Sequence, residues 1–372
     1  MSNLLIQNGR IMDPASGLDS HQSLLIRDGR IAATGESADA AFDAETQIID
    51  AKNLVISPGL IDIHVHFREP GQSAKETIGT GSKAAAQGGF TTVVCMPNTT
   101  PAIDNPGTVA LIQDKVEKDA LIQVHTTGAI TRDIAGESMA PIGSLHEAGV
   151  VAITDDGHCV QNHDLMRRAC EYAKMFELPL MDHCQDESVV GKGVMHEGHW
   201  SRVLGLPAWP SLGEELIVSR NIQLAQLTGS HIHCQHMSSA GAVQLIREAK
   251  DKGIPNSGEA CPHHFTLTDA AIAGSESVWE ESGAGWLNMI HIDHERPQWP
   301  AYDTLFKMNP PLRSAADRAA VLEGVADGTL EVLASDHAPH CSYEKEVEFD
   351  MAPFGITGLE TELALGLTRL YH

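Results

Sequence analysis

The chain has 372 residues, of which 42% are hydrophobic, so it is long enough to bury a large core in one or two domains. Its 50 acidic and 25 basic residues give a net charge of −25, which argues against nucleic acid and anionic membrane surfaces as partners. The seven cysteines are scattered without C-x-x-C spacing, as in a reducing compartment. No apolar run approaches the length of about 18 residues that a membrane helix needs. We therefore expect a cytoplasmic protein with a small-molecule ligand.

The first 55 residues consist of short segments with alternating polar and apolar residues. Asn8-Gly9 and Asp28-Gly29 separate these segments, and such pairs are strong signals for tight hairpin turns. This pattern predicts a small antiparallel β unit over residues 1–55, to which we assign a structural role.

From residue 56 onward, apolar strands alternate with amphipathic helices. This order is typical of the α/β class and predicts a parallel (β/α)8 barrel over residues 56–372. The predicted strands cover 54–63, 91–96, 120–127, 150–154, 178–181, 230–235, 256–261 and 330–334. The predicted helices cover 79–87, 106–118, 139–148, 164–176, 213–227, 239–252 and 314–324.

Polar residues gather where the predicted strands end. His64 and His66 follow the first strand and, because side chains alternate along a strand, they lie on the same side of it. Arg68, two residues further on, adds a guanidinium group that can bind an anionic ligand. The other strand ends carry Asn98, Asp156, His183, His236 and Asp336. Four histidines and two aspartates at the carboxyl end of one barrel are enough for two divalent cations with open positions.

Eight short motifs in this order resemble those of the metal-dependent cyclic amidohydrolases, and among them the type I dihydroorotases. The resemblance runs from about Asn8 to the last residue. The motifs are IDIHVHFREPG (61–71), CMPNTTP (95–101), ITDDG (153–157), MDHCQD (181–186), HCQHMS (233–238 with its first His at 233), KMNPPLR (307–313), ASDHAPH (334–340) and PFGITGLET (353–361).

The resemblance implies a ligand set for two metal ions. One ion would be held by His64, His66 and Asp336, and the other by His183 and His236. Asp156 would bridge the two, although its neighbour Asp155 stays open as the alternative. Histidine and carboxylate ligands suit zinc best, and cobalt or manganese would bind the same groups. We therefore expect Zn²⁺, two ions per chain.

The resemblance also implies the reaction, which is the reversible hydrolysis of L-dihydroorotate to N-carbamoyl-L-aspartate in pyrimidine biosynthesis. A metal-activated hydroxide would attack the amide, with Asp336 moving the proton from the nucleophile to the departing ring nitrogen. Arg68, Asn98 and His340 would bind the substrate carboxylate. Asn309 is expected near the ring amide or the carbamoyl group.

Two alternative functions remain. Hydantoinases and allantoinases resemble this chain, but they bridge their metals with a carbamylated lysine at the fourth strand, where this chain has Thr154-Asp155-Asp156. A non-catalytic, dihydroorotase-like partner of aspartate transcarbamoylase would lose metal ligands, and this chain keeps all six. A homodimer and an association with aspartate transcarbamoylase are both open for an active chain.

Several other residues receive less specific interpretations. His158, His231, His233, His263 and His264 are predicted to pack beside the site without binding metal, and Cys95, Cys184 and Cys261 are predicted to be buried thiols. The segment 273–302 is longer than a usual connection, and our hypothesis is a lid or an oligomer contact. Leucines at helical spacing run to the chain end at residue 372, so we expect a C-terminal segment to be missing.

Overall fold

The computed structural model describes residues 3–281 and 297–371. The chain divides into two compact units, Met1–Leu60 and Ile61–His372. None of the helices in the described part of the chain is both long and apolar enough to cross a bilayer.

The described residues of the first unit form seven short strands in two sheets. These are β1 (Leu4–Gln7), β2 (Arg10–Asp13), β3 (Leu18–His21), β4 (Leu24–Arg27), β5 (Arg30–Thr34), β6 (Gln47–Asp50) and β7 (Val55–Ile56), with one helix, α1 (Glu36–Ala41). The order in one sheet is β5-β4-β1-β6, and in the other it is β3-β2-β7. Leu5, Leu25 and Ala38 form the buried core of this unit.

The two Gly-containing turns of this unit behave differently. Asp28-Gly29 joins β4 to β5 as an antiparallel hairpin, as predicted. The hairpin predicted at Asn8-Gly9 is wrong, because β1 and β2 belong to different sheets. Asn8 has a φ of 65°, and the chain turns sharply there. Beyond this turn the two strands pair separately, β1 in parallel with β6 and β2 in parallel with β7. The unit is therefore mixed and not purely antiparallel.

The second unit alternates strands and helices, which confirms the α/β class. Its strands are β8 (Leu60–Val65), β9 (Phe90–Cys95), β10 (Gln123–Thr126), β11 (Leu180–Asp182), β12 (Met195–His196), β13 (Ala208–Trp209), β14 (Ile232–Cys234), β15 (Asn256–Ala260) and β16 (Val332–Leu333). Its helices are α2 (Ile78–Gln87), α3 (Pro106–Asp119), α4 (Ile142–Glu147), α5 (His163–Lys174), α6 (Glu187–Val190), α7 (His199–Leu204), α8 (Leu212–Thr228), α9 (Ala240–Asp251), α10 (Pro262–Thr266), α11 (Ser275–Glu280), α12 (Ala315–Ala326), α13 (Ser342–Lys345) and α14 (Glu362–Leu370).

Strand pairing follows the chain order around this unit. β8 neighbours β9, β9 pairs in parallel with β10, and the series β11-β14-β15-β16 is also parallel. The predicted fourth strand is reduced to isolated parallel bridges from Ile153 to Gly128 and to Leu180. A further parallel bridge joins Val65 to His337, which links the last strand position to the first.

The helices start where the sequence supplies capping side chains. Asn105, Asn162, Ser239 and Ser314 each accept a hydrogen bond from a backbone N–H in the first turn of the helix that follows. Behind the strands, α8, α9 and α12 bury apolar side chains against β14 and β15. This cluster includes Val218, Val243, Ile246, Val321 and Leu330. Because these helices pack against the strands from behind, the strands are fixed and their ends hold the polar residues in place.

The long segment 273–302 is only partly within the described residues. It begins with α11, and near its end the indole N–H of Trp299 donates to the carbonyl of Ala271 at 2.8 Å. Residues 282–296, on which the hypothesis of a lid or an oligomer contact mainly depends, lie outside the described part.

A buried ion pair fixes the end of β11, just before His183. Arg220 Nη2 lies 2.7 Å from Asp182 Oδ2, and the side-chain amide of Asn221 donates to the same oxygen at 2.7 Å. Asp182 is fully buried. An ionised carboxylate in such a place depends on its cation, since a buried charge without a partner is strongly destabilising.

We expect Arg220→Met to lower the free energy of unfolding by about 3–5 kcal/mol, because it leaves the Asp182 carboxylate buried without a cation. Urea unfolding of the metal-free protein measures this change. The matched control is Arg168→Met, which breaks an exposed ion pair with Asp164 and should change the stability far less, because solvent screens this pair. Equal losses for the two variants would contradict the expectation.

Candidate metal centre

The carboxylate of Asp156 lies among four histidine side chains. Its Oδ1 atom is 3.3 Å from His64 Nε2, 3.8 Å from His183 Nδ1 and 3.7 Å from His236 Nε2. Its Oδ2 atom is 3.3 Å from His66 Nε2. All five side chains are buried. Histidines from three different strand ends therefore meet around one carboxylate.

Asp155, the neighbouring carboxylate, faces a different set of groups. It accepts hydrogen bonds from the backbone N–H groups of Ile130 and Thr131 at 2.8 and 2.9 Å, and also one from the Thr131 hydroxyl. The two aspartates follow one another at the end of an extended segment, so their side chains point in different directions. Asp155 holds the loop after β10, and Asp156 faces the histidines.

Asp336 approaches the same histidines from the other side. Its Oδ1 atom is 3.0 Å from His66 Nε2 and 3.5 Å from His64 Nε2. Asp336 lies three residues after the end of β16, and its neighbour His337 turns away toward Glu76, at 3.1 Å. The structure thus brings together the three residues that the sequence assigned to the first metal.

These side chains form two overlapping groups that could hold a cation. One consists of His64, His66 and Asp336, and the other of His64, Asp156 and His236, with ligand atoms within 4.8 Å of one another in each group. Within the described residues, His64 Nε2, Asp156 Oδ1 and His236 Nδ1 are buried without a hydrogen-bond partner. Unpartnered buried polar atoms are costly, and a divalent cation would satisfy those of His64 and Asp156. The donor set therefore fits a metal ion.

His183 belongs to the cluster but to neither of these groups. Its Nδ1 atom lies 2.8 Å from His236 Nε2, and its Nε2 atom lies 2.8 Å from the side-chain oxygen of Gln185. The rings of His183 and His236, which were predicted to hold the second metal together, are thus in direct contact.

Burial and mutual attraction set the protonation of the cluster. Burial opposes ionisation of Asp156, but the charges and hydrogen bonds of His64, His236 and His66 together outweigh it and bring the pKa of Asp156 well below its usual range. The pKa of Asp336 is likewise about 2, because His64 and His66 outweigh its burial. Burial, together with the charge of His236, lowers the pKa of His183 to about 4. Both carboxylates are therefore ionised at neutral pH, and His183 is neutral, which suits metal binding.

A cavity of about 460 Å³ opens onto the cluster. It is lined by most of the predicted site residues, namely His66, Arg68, Asn98, Asp156, His183, His236, Asn309 and Asp336. His64 lies beneath it, completely buried. His340 lies behind Arg68, with 3.5 Å between Arg68 Nη2 and His340 Nε2. A small polar molecule in this cavity would touch both Arg68 and the cluster around Asp156.

The amides of the cavity wall are tied to the histidines. The Asn98 side-chain oxygen lies 2.9 Å from His66 Nδ1, and the Asn309 amide donates to Gln185, which in turn contacts His183. Arg68 Nε donates to the carbonyl of Pro339 at 3.2 Å. Because these groups are held by their neighbours, the wall of the cavity is set before a ligand binds.

The backbone takes an unusual conformation at three of these positions. Arg68, His236 and Asp336 have φ values of 59°, 40° and 47°. Residues other than glycine rarely adopt this left-handed region, and surrounding structure has to maintain it. At each position the turn comes two or three residues after a strand, and the side chain lines the cavity.

Sequence reasoning missed Glu259, a fully buried carboxylate in β15. Its Oε1 atom is 2.5 Å from His64 Nδ1, and its Oε2 atom is 3.0 Å from His233 Nε2. A lone acidic residue in a buried strand is the only signal in the sequence, and this signal does not reveal the partner. His233 was predicted to pack beside the site without binding metal, and it contacts Glu259.

A third group of side chains lies outside the Asp156 cluster. Cys261, His263 and His264 are buried, with ligand atoms within 4.8 Å of one another. Burial raises the pKa of the Cys261 thiol well above its usual range, so the Cys261 side chain is protonated. The side chain of His264 is also engaged, with its Nε2 atom 2.9 Å from the carbonyl oxygen of Pro310.

Comparisons with known proteins identify the family. A model of the family described as Dihydro-orotase-like matches residues 53–242. The chain is 47% identical over 367 residues to a dihydroorotase of Pelotomaculum thermopropionicum, covering 99% of this chain and 79% of that protein. A dihydroorotase of Anaeromyxobacter dehalogenans is 46% identical over 368 residues, covering 98% of this chain and 79% of the other.

Solved structures with a similar fold include two hydantoinases. The L-hydantoinase of Arthrobacter aurescens gives a TM-score of 0.78 at 20% identity, over 99% of this chain and 77% of that one. The D-hydantoinase of a Thermus species gives a TM-score of 0.74 at 23% identity, over 98% of this chain and 76% of that one. At these identities the likeness concerns the fold alone. With relatives this similar over nearly its whole length, the chain belongs to the dihydroorotase family of cyclic amidohydrolases.

Proposed function

We propose that this chain is a dihydroorotase, which interconverts L-dihydroorotate and N-carbamoyl-L-aspartate by hydrolysis and closure of a cyclic amide. The observation that carries the proposal is the Asp156 carboxylate among four histidines, at the base of a cavity that also presents Arg68 and Asp336. Curated dihydroorotases with 45–47% identity support the same reaction.

The proposed cofactor is Zn²⁺, two ions per chain. His64, His66 and Asp336 would hold one ion, His183 and His236 the other, and Asp156 would bridge them. The overlapping donor groups and their unpartnered atoms support this assignment. When bound, such ions polarise a carbonyl group and lower the pKa of water to about 7.

Asp336 is the proposed proton carrier. Its carboxylate is ionised at neutral pH and lines the cavity, so it can accept the proton of the attacking water. As the new C–O bond forms and the ring C–N bond breaks, the same carboxylate returns that proton to the departing ring nitrogen. Ring closure uses the same transfers in reverse.

Arg68 is the proposed binding group for the substrate carboxylate, with Asn98 and His340 beside it. The chain carries a net charge of −25, so an anionic substrate needs a local cation. Arg68 is buried next to His340, and a guanidinium can bind a carboxylate through two parallel hydrogen bonds. Asn309, across the cavity, is proposed to contact the ring amide or the carbamoyl group.

The fold proposal is a (β/α)8 barrel over residues 56–372 with a small β unit over residues 1–55. The parallel pairs in chain order and the bridge between Val65 and His337 support closure of the barrel. A cytoplasmic location, a homodimer and an association with aspartate transcarbamoylase stay predictions. The fourth strand end has Thr154-Asp155-Asp156, without the lysine of hydantoinases, and this favours the dihydroorotase activity over theirs.

Asp156→Asn should weaken Zn²⁺ binding by at least about tenfold and reduce the bound metal to fewer than about two ions per chain. The reason is that an amide lacks the negative charge with which the Asp156 carboxylate would bind both ions. Titration of metal-free protein with Zn²⁺, followed by metal analysis, measures both quantities. Asp133→Asn, at an exposed position, serves as the control. Unchanged stoichiometry and affinity in Asp156→Asn would refute the bridging role.

Asp336→Asn should lower kcat for L-dihydroorotate by about 10² to 10⁴, the usual contribution of a positioned acid–base group. Loss of ultraviolet amide absorbance reports hydrolysis. Because Asp336 is also a proposed metal ligand, the metal content of each sample is measured alongside. A variant that keeps its metal and also keeps wild-type kcat would exclude Asp336 as the proton carrier.

Arg68→Met should raise KM for L-dihydroorotate by about 10- to 100-fold with a smaller effect on kcat, since it removes a charged hydrogen bond to the substrate carboxylate. Steady-state kinetics separate the two constants. Arg167→Met, which alters an exposed arginine paired with Glu171, should leave both unchanged. An unaltered KM in Arg68→Met would mean that the carboxylate binds elsewhere.

A further inference from the structure

We propose that Glu259 is a positioning residue of the metal centre. It orients the ring of His64 toward the cations and holds the backbone of His236 in place. The inference rests on the metal-dependent function proposed above. It adds a residue that does not line the cavity and contacts no substrate.

The carboxylate of Glu259 contacts two of the proposed ligand residues at once. Its Oε1 atom lies 2.5 Å from His64 Nδ1 and accepts the backbone N–H of His236 at 3.1 Å. Glu259 is in β15, whereas His64 is in β8 and His236 follows β14. One buried carboxylate therefore ties together ligands from opposite parts of the strand series.

The contact with Glu259 decides which nitrogen of His64 faces the cavity. An ionised carboxylate can only accept hydrogen bonds, so the proton of a neutral His64 ring lies on Nδ1. The lone pair is then on Nε2, the atom that lies 3.3 Å from Asp156 and 3.5 Å from Asp336. A histidine that binds a metal through one nitrogen typically donates its other N–H to a carboxylate or carbonyl.

A second polar group, the side-chain amide of Gln235, also lies close to His64 Nδ1. The side-chain amide nitrogen of Gln235 lies 3.2 Å from His64 Nδ1, while the Gln235 oxygen accepts from the Thr154 hydroxyl at 3.0 Å. An amide N–H cannot accept the proton of His64. Glu259 is therefore the acceptor for the Nδ1 proton, and Gln235 packs beside it.

Further hydrogen bonds hold Glu259 itself in place. Its Oε2 atom is 3.0 Å from His233 Nε2, and the Nδ1 atom of His233 is 2.8 Å from the Ser257 hydroxyl. The same hydroxyl is 2.7 Å from His231 Nε2. The array of Glu259, His233, Ser257 and His231 leaves neither oxygen of the buried carboxylate without a partner. A carboxylate fixed in this way loses little freedom when His64 binds a cation.

The charge of Glu259 has a second effect on the metal centre. A carboxylate bonded to the far side of an imidazole makes that ring a stronger electron donor. It also adds negative charge close to the proposed cations in a buried region, where electrostatic attraction is strong. Removal of the charge alone should therefore weaken metal binding, even when the shape of the side chain is kept.

The test uses Glu259→Gln, which keeps the shape and removes the charge, in the full chain. Metal-free wild type and variant compete for Zn²⁺ with a chromophoric chelator, and their Co²⁺ forms are compared by visible absorption, which reports ligand geometry. We expect Zn²⁺ affinity to fall by about 10- to 100-fold, with an altered Co²⁺ spectrum. L-Dihydroorotate turnover is measured on the same samples.

The matched control is Glu214→Gln. Glu214 is also a buried carboxylate and accepts the backbone N–H groups of Ser238 and Ser239 at 3.1 and 2.9 Å, but it contacts none of the proposed metal ligands. A merely structural role for Glu259 would make both variants less stable and leave the Zn²⁺ affinity of the folded protein unchanged. The control should therefore lose stability and retain affinity.

Should Glu259→Gln fail to fold, His233→Gln removes a support of Glu259 and should lower Zn²⁺ affinity in the same direction, by a smaller factor. Affinity within twofold of wild type and an unchanged Co²⁺ spectrum in the folded variant would overturn the inference. Wild type that binds no Zn²⁺ would overturn it as well, together with the proposed cofactor. Wild type that binds Zn²⁺ without turning over L-dihydroorotate would reject only the proposed substrate, while the affinity comparison would still decide the role of Glu259.

Discussion

The arrangement of this site depends on one electrostatic constraint, which is the burial of the Asp156 carboxylate among four imidazole rings. An ionised group without water needs opposite charge or hydrogen bonds close by, and here His64, His66, His183 and His236 all lie within 3.8 Å of its oxygens. The strands that carry these residues are held in register by their neighbours and by the helices behind them. Fold and site are thus coupled, because the carboxylate cannot be ionised and buried unless several strand ends converge.

The acidic character of the centre extends beyond Asp156. Asp336 and Glu259 lie against His64 from two further directions, so three carboxylates surround one histidine. In the absence of a cation, this negative charge raises the pKa of His64 well above its usual range in spite of burial. A proton then takes the place of a metal ion as the positive charge. Binding of divalent cations is consequently coupled to release of protons, which makes metal affinity dependent on pH.

Much of the fold was readable from the sequence because its signals are local. The capping residues Asn105 and Ser239 mark helix starts within one or two residues of those predicted, since capping is a contact between near neighbours in the chain. The Asn8-Gly9 turn was misread for the opposite reason. Its dipeptide specifies a sharp change of direction, but whether the next strand returns to the same sheet depends on distant strands.

The candidate site shows the same division between local and distant information. Alternation along one strand places His64 beside His66, and their ring centroids are 5.4 Å apart. Alternation also implies that Asp155 and Asp156 point in different directions, but it cannot say which of them faces the histidines. Glu259 could not be assigned at all, because its partner His64 is 195 positions away in the sequence and belongs to another strand.

The left-handed backbone at Arg68, His236 and Asp336 has a consequence for protein engineering. Each position would be more relaxed with glycine, and the present residues are retained at a cost on the order of 1–3 kcal/mol apiece. A redesign that optimised only thermal tolerance would therefore favour replacement at these three positions and would remove an arginine, a histidine and an aspartate from the cavity. Sequence libraries for a more robust variant should hold these residues fixed and seek gains on the outer helices, where stabilising changes do not compete with the chemistry.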